Sequence, residues 1–263
     1  MTYMMWAPAQ NPAASQGAGL AVRDMRIFYG AMPALRGVSI ECRPGEIVGV
    51  IGPNGAGKTS LLRGIAGLTR TATGVVELDG QDISRWRAYR RGQAGIVMVA
   101  ERRRVFPSLS VRENLMIGGY GIDKDEVEAR VRRVLDMFPR LKEREGVPSY
   151  RLSGGEQRMV SIGRALVTGA RCILFDELSL GLAPRIVNEL TGTLRAIADE
   201  GRMIVLVEQY IGVLLKLADS VHMMDRGRVT FTGASEEAAR WLEQRGYLDH
   251  AEAAAARATA RHH

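Results

Sequence analysis

The sequence predicts an α/β fold with a mainly parallel sheet, an antiparallel β subdomain and a helical insertion. Three observations predict it. Short apolar runs at residues 46–51, 95–99, 172–175 and 203–207 alternate with helical stretches. Strands buried on both faces of a parallel sheet read this way. Before most of them, residues 20–28 alternate apolar and polar side chains, residues 35–42 give a second strand, and residues 75–78 run into an Asp79-Gly80 hairpin turn. Within residues 113–141, Val127, Val131, Val134, Leu135 and Phe138 recur at helical spacing, opposite charged residues.

The strand at residues 46–51 runs into Gly52, Pro53, Asn54, Gly55, Ala56, Gly57, Lys58 and Thr59, with Ser60 opening a helix over residues 60–66. A glycine, four residues and then Gly-Lys-Thr is the pattern of a phosphate-binding loop. The glycines let backbone N–H groups converge on phosphate oxygens, and the helix dipole adds partial positive charge. Lys58 is placed for the β and γ phosphates, and the Thr59 hydroxyl for Mg²⁺.

Composition bounds the rest. The chain has 263 residues, 46% hydrophobic and 25% charged, which allows one large domain or two small ones with a sizeable core. Net charge is +7. A basic balance attracts nucleic acid or anionic membrane. Here many of the arginines fall in short clusters, residues 85–91 and 102–104, without a nucleic-acid-reading motif. They read as solvated surface with attraction for a nucleotide or lipid headgroups, and no nucleic-acid partner is expected. Cys42 and Cys172 sit in or beside apolar runs as small buried hydrophobes, which fits a reducing cytosol. No apolar run approaches the ~20 residues of a membrane span. Residues 1–19 read as a disordered leader, residues 20–247 as the domain and residues 248–263 as a flexible tail.

Tyr29 ends the first strand. An aromatic there can stack on an adenine ring or pack in the core, and the local residues leave both open. After the strand at 95–99, Glu101 is placed to reach Mg²⁺ or the attacking water. Leu152 leads into Ser153, Gly154, Gly155 and Glu156. Ser153 is a helix N-cap, Met159, Ile162 and Leu166 carry the helix stripe, and the two glycines expose N–H groups at a positive helix end. That is a second anion site. The run 172–175 ends in Asp176 and Glu177, two acids at a strand end. Asp176 would hold Mg²⁺, and Glu177 would act as general base on water.

Pro184 starts the next helix, striped by Ile186, Val187, Leu190, Leu194 and Ile197. The strand at 203–207 delivers Gln209 toward the γ-phosphate. Residues 221–224 and 228–231 read as a hairpin, with His222 a packing residue. A helix over residues 236–244 closes the domain.

The phosphate loop, the Leu-Ser-Gly-Gly-Glu-Gln stretch at 152–157 and the apolar run ending in Asp-Glu occur in this order and at these intervals. Together they resemble the ATP-binding subunit of ABC transporters over about residues 20–242. The resemblance implies a P-loop NTPase core with a helical subdomain at about residues 101–165, ATP and Mg²⁺ as cofactors, and ATP hydrolysis. It makes Tyr29 the adenine-stacking aromatic and Glu101 the residue that senses Mg²⁺ and couples to the membrane subunit. It also makes residues 179–182 a dimer-contact loop and puts Gln209 where most members carry histidine.

Glu101, Ser-Leu-Gly-Leu-Ala-Pro after the acids, and Val-Glu-Gln at residues 207–209 narrow the resemblance to the ATPases of branched-chain amino-acid importers. Urea and short-amide importers have similar subunits, and a hydrolysis-impaired scaffold is the other alternative. The resemblance implies several partners: a second ATPase subunit, two integral-membrane permeases and an extracytoplasmic solute-binding protein. It implies a place on the cytoplasmic face of the membrane. Leu178 stands where the family carries proline, which predicts a looser turn at Glu177. Ala100 and Arg102 replace proline and glycine beside Glu101, and Tyr210 replaces asparagine.

Overall fold

The computed structural model describes residues 19–100 and 105–245. In chain order, strands β1 (Leu20–Tyr29), β2 (Met32–Cys42) and β3 (Ile47–Ile51) precede helix α1 (Lys58–Ile65). Then come β4 (Thr73–Leu78), β5 (Gln81–Asp82), α2 (Ala88–Gln93) and β6 (Ile96–Val99). The helical stretch holds α3 (Val111–Ile117), α4 (Lys124–Met137), α5 (Pro139–Lys142) and α6 (Gly154–Val167). Next are β7 (Cys172–Asp176), α7 (Pro184–Asp199), β8 (Met203–Glu208) and α8 (Ile211–Leu217). The described chain closes with β9 (Ser220–Asp225), β10 (Arg228–Ala234) and α9 (Ser235–Gln244).

Two sheets form. One is antiparallel in the order β2-β1-β4-β5. The other runs β10-β9-β3-β8-β7-β6, parallel throughout except for β10. In the central strands successive side chains enter opposite layers, as a pleated strand requires. Ile47, Ile51, Ile173, Phe175, Ile204 and Leu206 join a core shared with the helices of the insertion and with α7 and α8. Val48, Val50, Cys172, Leu174, Val205 and Val207 join a second core beneath α1 and the antiparallel sheet. Both faces are covered, so these strands are apolar without alternation in the sequence.

Register decides where the chemistry sits. Ile51 pairs with Glu208, Asp176 with Val207 and Val99 with Phe175. The carboxyl ends of β3, β6, β7 and β8 therefore lie together on one edge, where open α/β sheets hold ligands.

The helical pattern over residues 113–141 is divided among α3, α4 and α5. α3 ends at Gly118, where a Cβ would come 2.5 Å from the Arg164 carbonyl of α6, and Pro139 ends α4. Ser110 and Glu113 cap α3 reciprocally, and Asp123 caps α4. Helices α2 and α8 carry no stripe long enough to predict.

The arginine cluster at 85–91 is only partly solvated surface. Arg91 is buried, and its guanidinium donates to the carbonyls of Gly64 and Ile65 at the end of α1 and of Ser84 and Trp86. Two of those carbonyls lie at a helix C-terminus, where a cation is favourable. Cys42 and Cys172 are free and buried, and burial pushes the Cys172 thiol up to about 12. No helix among the described residues is long and apolar enough to cross a membrane.

Candidate functional site

The phosphate loop leaves β3 at Gly52, where a Cβ would lie 2.1 Å from the Met224 carbonyl. Only glycine allows the loop to pass that close to β9. Gly57 caps α1 at φ 103, in the left-handed region, with Ala34 O 2.6 Å from where a Cβ would sit. The helix begins at Lys58, two residues before the predicted start. The Lys58 ammonium is buried and donates to the carbonyls of Gly52 at 2.7 Å and Pro53 at 3.2 Å. Burial lowers its pKa, opposed by the charges of Glu177 and Asp176. Both acids thus lie within electrostatic reach of the loop lysine.

Thr59 and Asp176 meet: the Thr59 hydroxyl donates to Asp176 Oδ1 at 3.0 Å. A hydroxyl and a carboxylate converging from a helix start and a strand end are the hard oxygen donors that Mg²⁺ takes. Among the described residues no group of three or more His, Cys, Asp or Glu could hold a metal ion by itself. Thr59 and Asp176 would suit an ion that took its remaining ligands from phosphate and water. Glu101 lies outside the described residues.

Glu177 follows Asp176 with φ 52, left-handed for a non-glycine residue. Its carboxylate accepts the Gln209 amide at 2.6 Å, and the same amide donates to Asn54 Oδ1 at 3.0 Å. Gln209 therefore joins β7, β8 and the phosphate loop. Its predicted place at the strand end holds. The turn after Glu177 is not loose. Leu178 is buried in the core, the Glu177 N–H donates to Val207 O at 2.9 Å, and Ser179 is bonded to Glu208. Leucine fills an apolar site there, and β8 supplies the anchoring that a proline ring would otherwise supply.

Tyr29 is exposed, so the core alternative for it fails, and the Ser60 hydroxyl donates to its hydroxyl at 3.4 Å. An exposed ring beside the start of α1 offers a stacking face next to the loop.

Ser153 caps α6 with a reciprocal box: it accepts from the Glu156 N–H, and the Glu156 carboxylate accepts the Ser153 N–H at 2.8 Å. Arg144 holds the other Glu156 oxygen at 3.3 Å. Ser153 and Gly154 are exposed, whereas Gly155 is buried, and a Cβ on it would meet Ile186 of α7 at 2.8 Å. Of the two glycines, only Gly154 is on the surface. α6 packs on α3, α4, α5 and β6, while α1 packs on β1, β2, β7 and β8. The two helices thus pack in different cores, α6 in that of the helical insertion and α1 in that of the antiparallel sheet.

Sequence reasoning passed over two residues here. Arg158 of α6 is buried and donates to Glu177 O at 2.5 Å and Ala100 O at 3.3 Å. Glu208 is buried at the end of β8, and burial pushes its carboxyl up against the opposing Ser179 bonds and the Arg158 charge. A charged residue continuing an apolar strand was the signal for Glu208. Arg158 gave none, because charged residues on helices are usually solvated.

The comparisons agree with this architecture. The family model described as "ABC transporter" matches residues 35–179. The high-affinity branched-chain amino acid transport ATP-binding protein BraG of Pseudomonas aeruginosa is 41% identical over 82% of this chain and 94% of its own length. A probable branched-chain amino acid transport ATP-binding protein, LivF of Archaeoglobus fulgidus, is 34% identical over 80% of this chain and 89% of its own. The crystal structure of a nucleotide-free ATP-binding cassette from an ABC transporter superposes with TM-score 0.79 at 26% identity, covering 86% of this chain and 95% of that one. With the loop, the capped Ser153 helix and the paired acids in place, the chain belongs to the ABC transporter family as an ATP-binding, ATP-hydrolysing subunit.

Proposed function

We propose that this chain powers the import of branched-chain amino acids, as half of an ATPase pair whose two sites are each shared between subunits. One observation carries the catalytic part. Gln209 links the Glu177 carboxylate to Asn54 of the phosphate loop, so an acid and an amide would face the end of a triphosphate held by that loop. The backbone N–H groups of residues 52–59 and the Lys58 ammonium would hold the phosphates. Mg²⁺ held by Thr59 and Asp176 would neutralise charge on the β and γ oxygens. Glu177 would take a proton from the attacking water, and Gln209 would orient that water against the γ-phosphate. Tyr29 would stack on adenine.

The Ser153 and Gly154 turn supports the shared site. It is an exposed positive helix end, which would close over the γ-phosphate of a second copy or a related chain. ATP would then hold the subunits together, and hydrolysis would release them. That cycle would act on two membrane permeases from the cytoplasmic face, with an extracytoplasmic protein delivering solute. Glu101 would sense Mg²⁺ and couple the site to the membrane partner. The likeness to BraG and LivF supports the solute class.

The test is uptake of labelled leucine in cells that carry this chain together with permeases and a solute-binding protein of a branched-chain amino-acid importer. Uptake that requires Glu177 and is competed by valine and isoleucine is expected. Uptake of urea or amides instead would overturn the solute assignment.

A further inference from the structure

Glu208 is the last residue of β8 and is 1% exposed. Its carboxylate accepts the Ser179 N–H at 2.8 Å and the Ser179 hydroxyl at 2.7 Å. An acid this deep is costly unless its oxygens are bonded. An apolar side chain would have continued the run of Met203 to Val207 at no such cost. The carboxylate therefore serves something other than the packing of β8.

What it grips is the turn that carries Glu177. At φ 52 Glu177 is strained for a non-glycine residue, and such a residue persists only where its flanks are fixed. The near flank is fixed by the bond from Glu177 N–H to Val207 O at 2.9 Å. The far flank is fixed by Ser179 on Glu208. Gln209 then donates to the Glu177 carboxylate at 2.6 Å. Three consecutive residues of one strand end hold the backbone before Glu177, the backbone after it and its side chain. From the opposite side Arg158 donates to the Glu177 carbonyl, and its charge faces Glu208.

We propose that Glu208 is a positioning residue for ATP hydrolysis: through Ser179 it holds the turn that aims Glu177 at the reacting water. This rests on the reading of Glu177 as general base. The requirement is for two polar atoms in one plane. A glutamine can accept the Ser179 N–H and donate to its hydroxyl oxygen, whereas alanine offers neither.

Steady-state hydrolysis by the full-length chain tests it, with thermal melts and a fluorescent ATP analogue as controls. Glu208→Ala is expected to lower kcat by about tenfold or more with little change in KM or analogue affinity, since it misplaces a reacting group and spares binding. Glu208→Gln is expected to stay close to the parent. Ser179→Ala, which keeps the N–H bond, is expected to fall between them. In a Glu177→Gln background, Glu208→Ala is expected to add no further loss. A folded Glu208→Ala protein with parental kcat would overturn the proposal. If that variant does not fold, Ser179→Ala decides alone: parental kcat overturns the proposal, and a lower kcat at unchanged KM supports it. Parental turnover in Glu177→Gln is a separate outcome, because it removes the base itself and with it the role given to Glu208.

Discussion

The Gln209 amide nitrogen bridges two oxygens, Glu177 Oε1 at 2.6 Å and Asn54 Oδ1 at 3.0 Å. One side chain thus ties the candidate base to the phosphate loop. Gln209→Ala should lower kcat for ATP hydrolysis by about tenfold to a hundredfold while leaving nucleotide affinity close to the parent. Phosphate release and analogue titration on the same sample check both halves. A weakened affinity with unchanged kcat would place Gln209 in binding instead.

Lys58 has two carbonyls to satisfy its ammonium, and phosphate oxygens would replace them with charge-assisted bonds. Lys58→Ala should weaken ATP binding by about 1.5–3 kcal/mol, roughly tenfold to a hundredfold. Titration with a fluorescent ATP analogue measures it. Unchanged affinity would contradict the placement of the phosphates.

Arg91 of α2 closes the C-terminal end of α1. Burial holds its pKa below the usual range, and its removal takes a donor from all four carbonyls, of which Gly64 O keeps the Gly67 N–H. Arg91→Ala should cost about 3 kcal/mol or more of stability. Urea unfolding checks the value, with a lowered midpoint at similar slope as the expected result. An unchanged midpoint would mean that water reaches those carbonyls.

His222 is buried, with Nδ1 2.9 Å from the Thr232 hydroxyl, and burial lowers its pKa against the opposing charge of Glu46. The folded chain therefore binds this proton less readily than the unfolded chain. Stability should be fully present above the unfolded pKa of about 6.5 and fall below it, by at most about 1.4 kcal/mol per pH unit. Thermal melts between pH 7.5 and 5 should show that loss, and His222→Gln should flatten it. Equal acid sensitivity in the variant would assign the loss to other groups.

The site was legible in the sequence wherever one short stretch does the work. The loop at 52–59, the Ser153 cap with Glu156, and the acids at the end of β7 each depend on neighbours a few residues away. Their types and spacing carry the physics. Arg91 and Glu208 were not legible in this way. Each is charged, and each is buried because its partner arrives from elsewhere in the fold: the end of α1 for Arg91, the turn at Ser179 for Glu208. Burial of a charge is a tertiary fact. The anchoring of the turn at Leu178 is not legible for the same reason, since its partners lie on β8. The break between α3 and α4 has a local mark, Gly118 and Gly119, whose meaning needed the close approach of Arg164 of α6 to the first and of Val127 of α4 to the second.

In the proposed cycle two chains share each ATP, and Glu177 activates the water that cleaves its terminal bond. Size-exclusion chromatography of Glu177→Gln with Mg-ATP, with phosphate release followed in the same fractions, tests both at once. A nucleotide-dependent dimer that keeps its ATP and releases no phosphate is expected. A monomer that turns over ATP at the parental rate would contradict it.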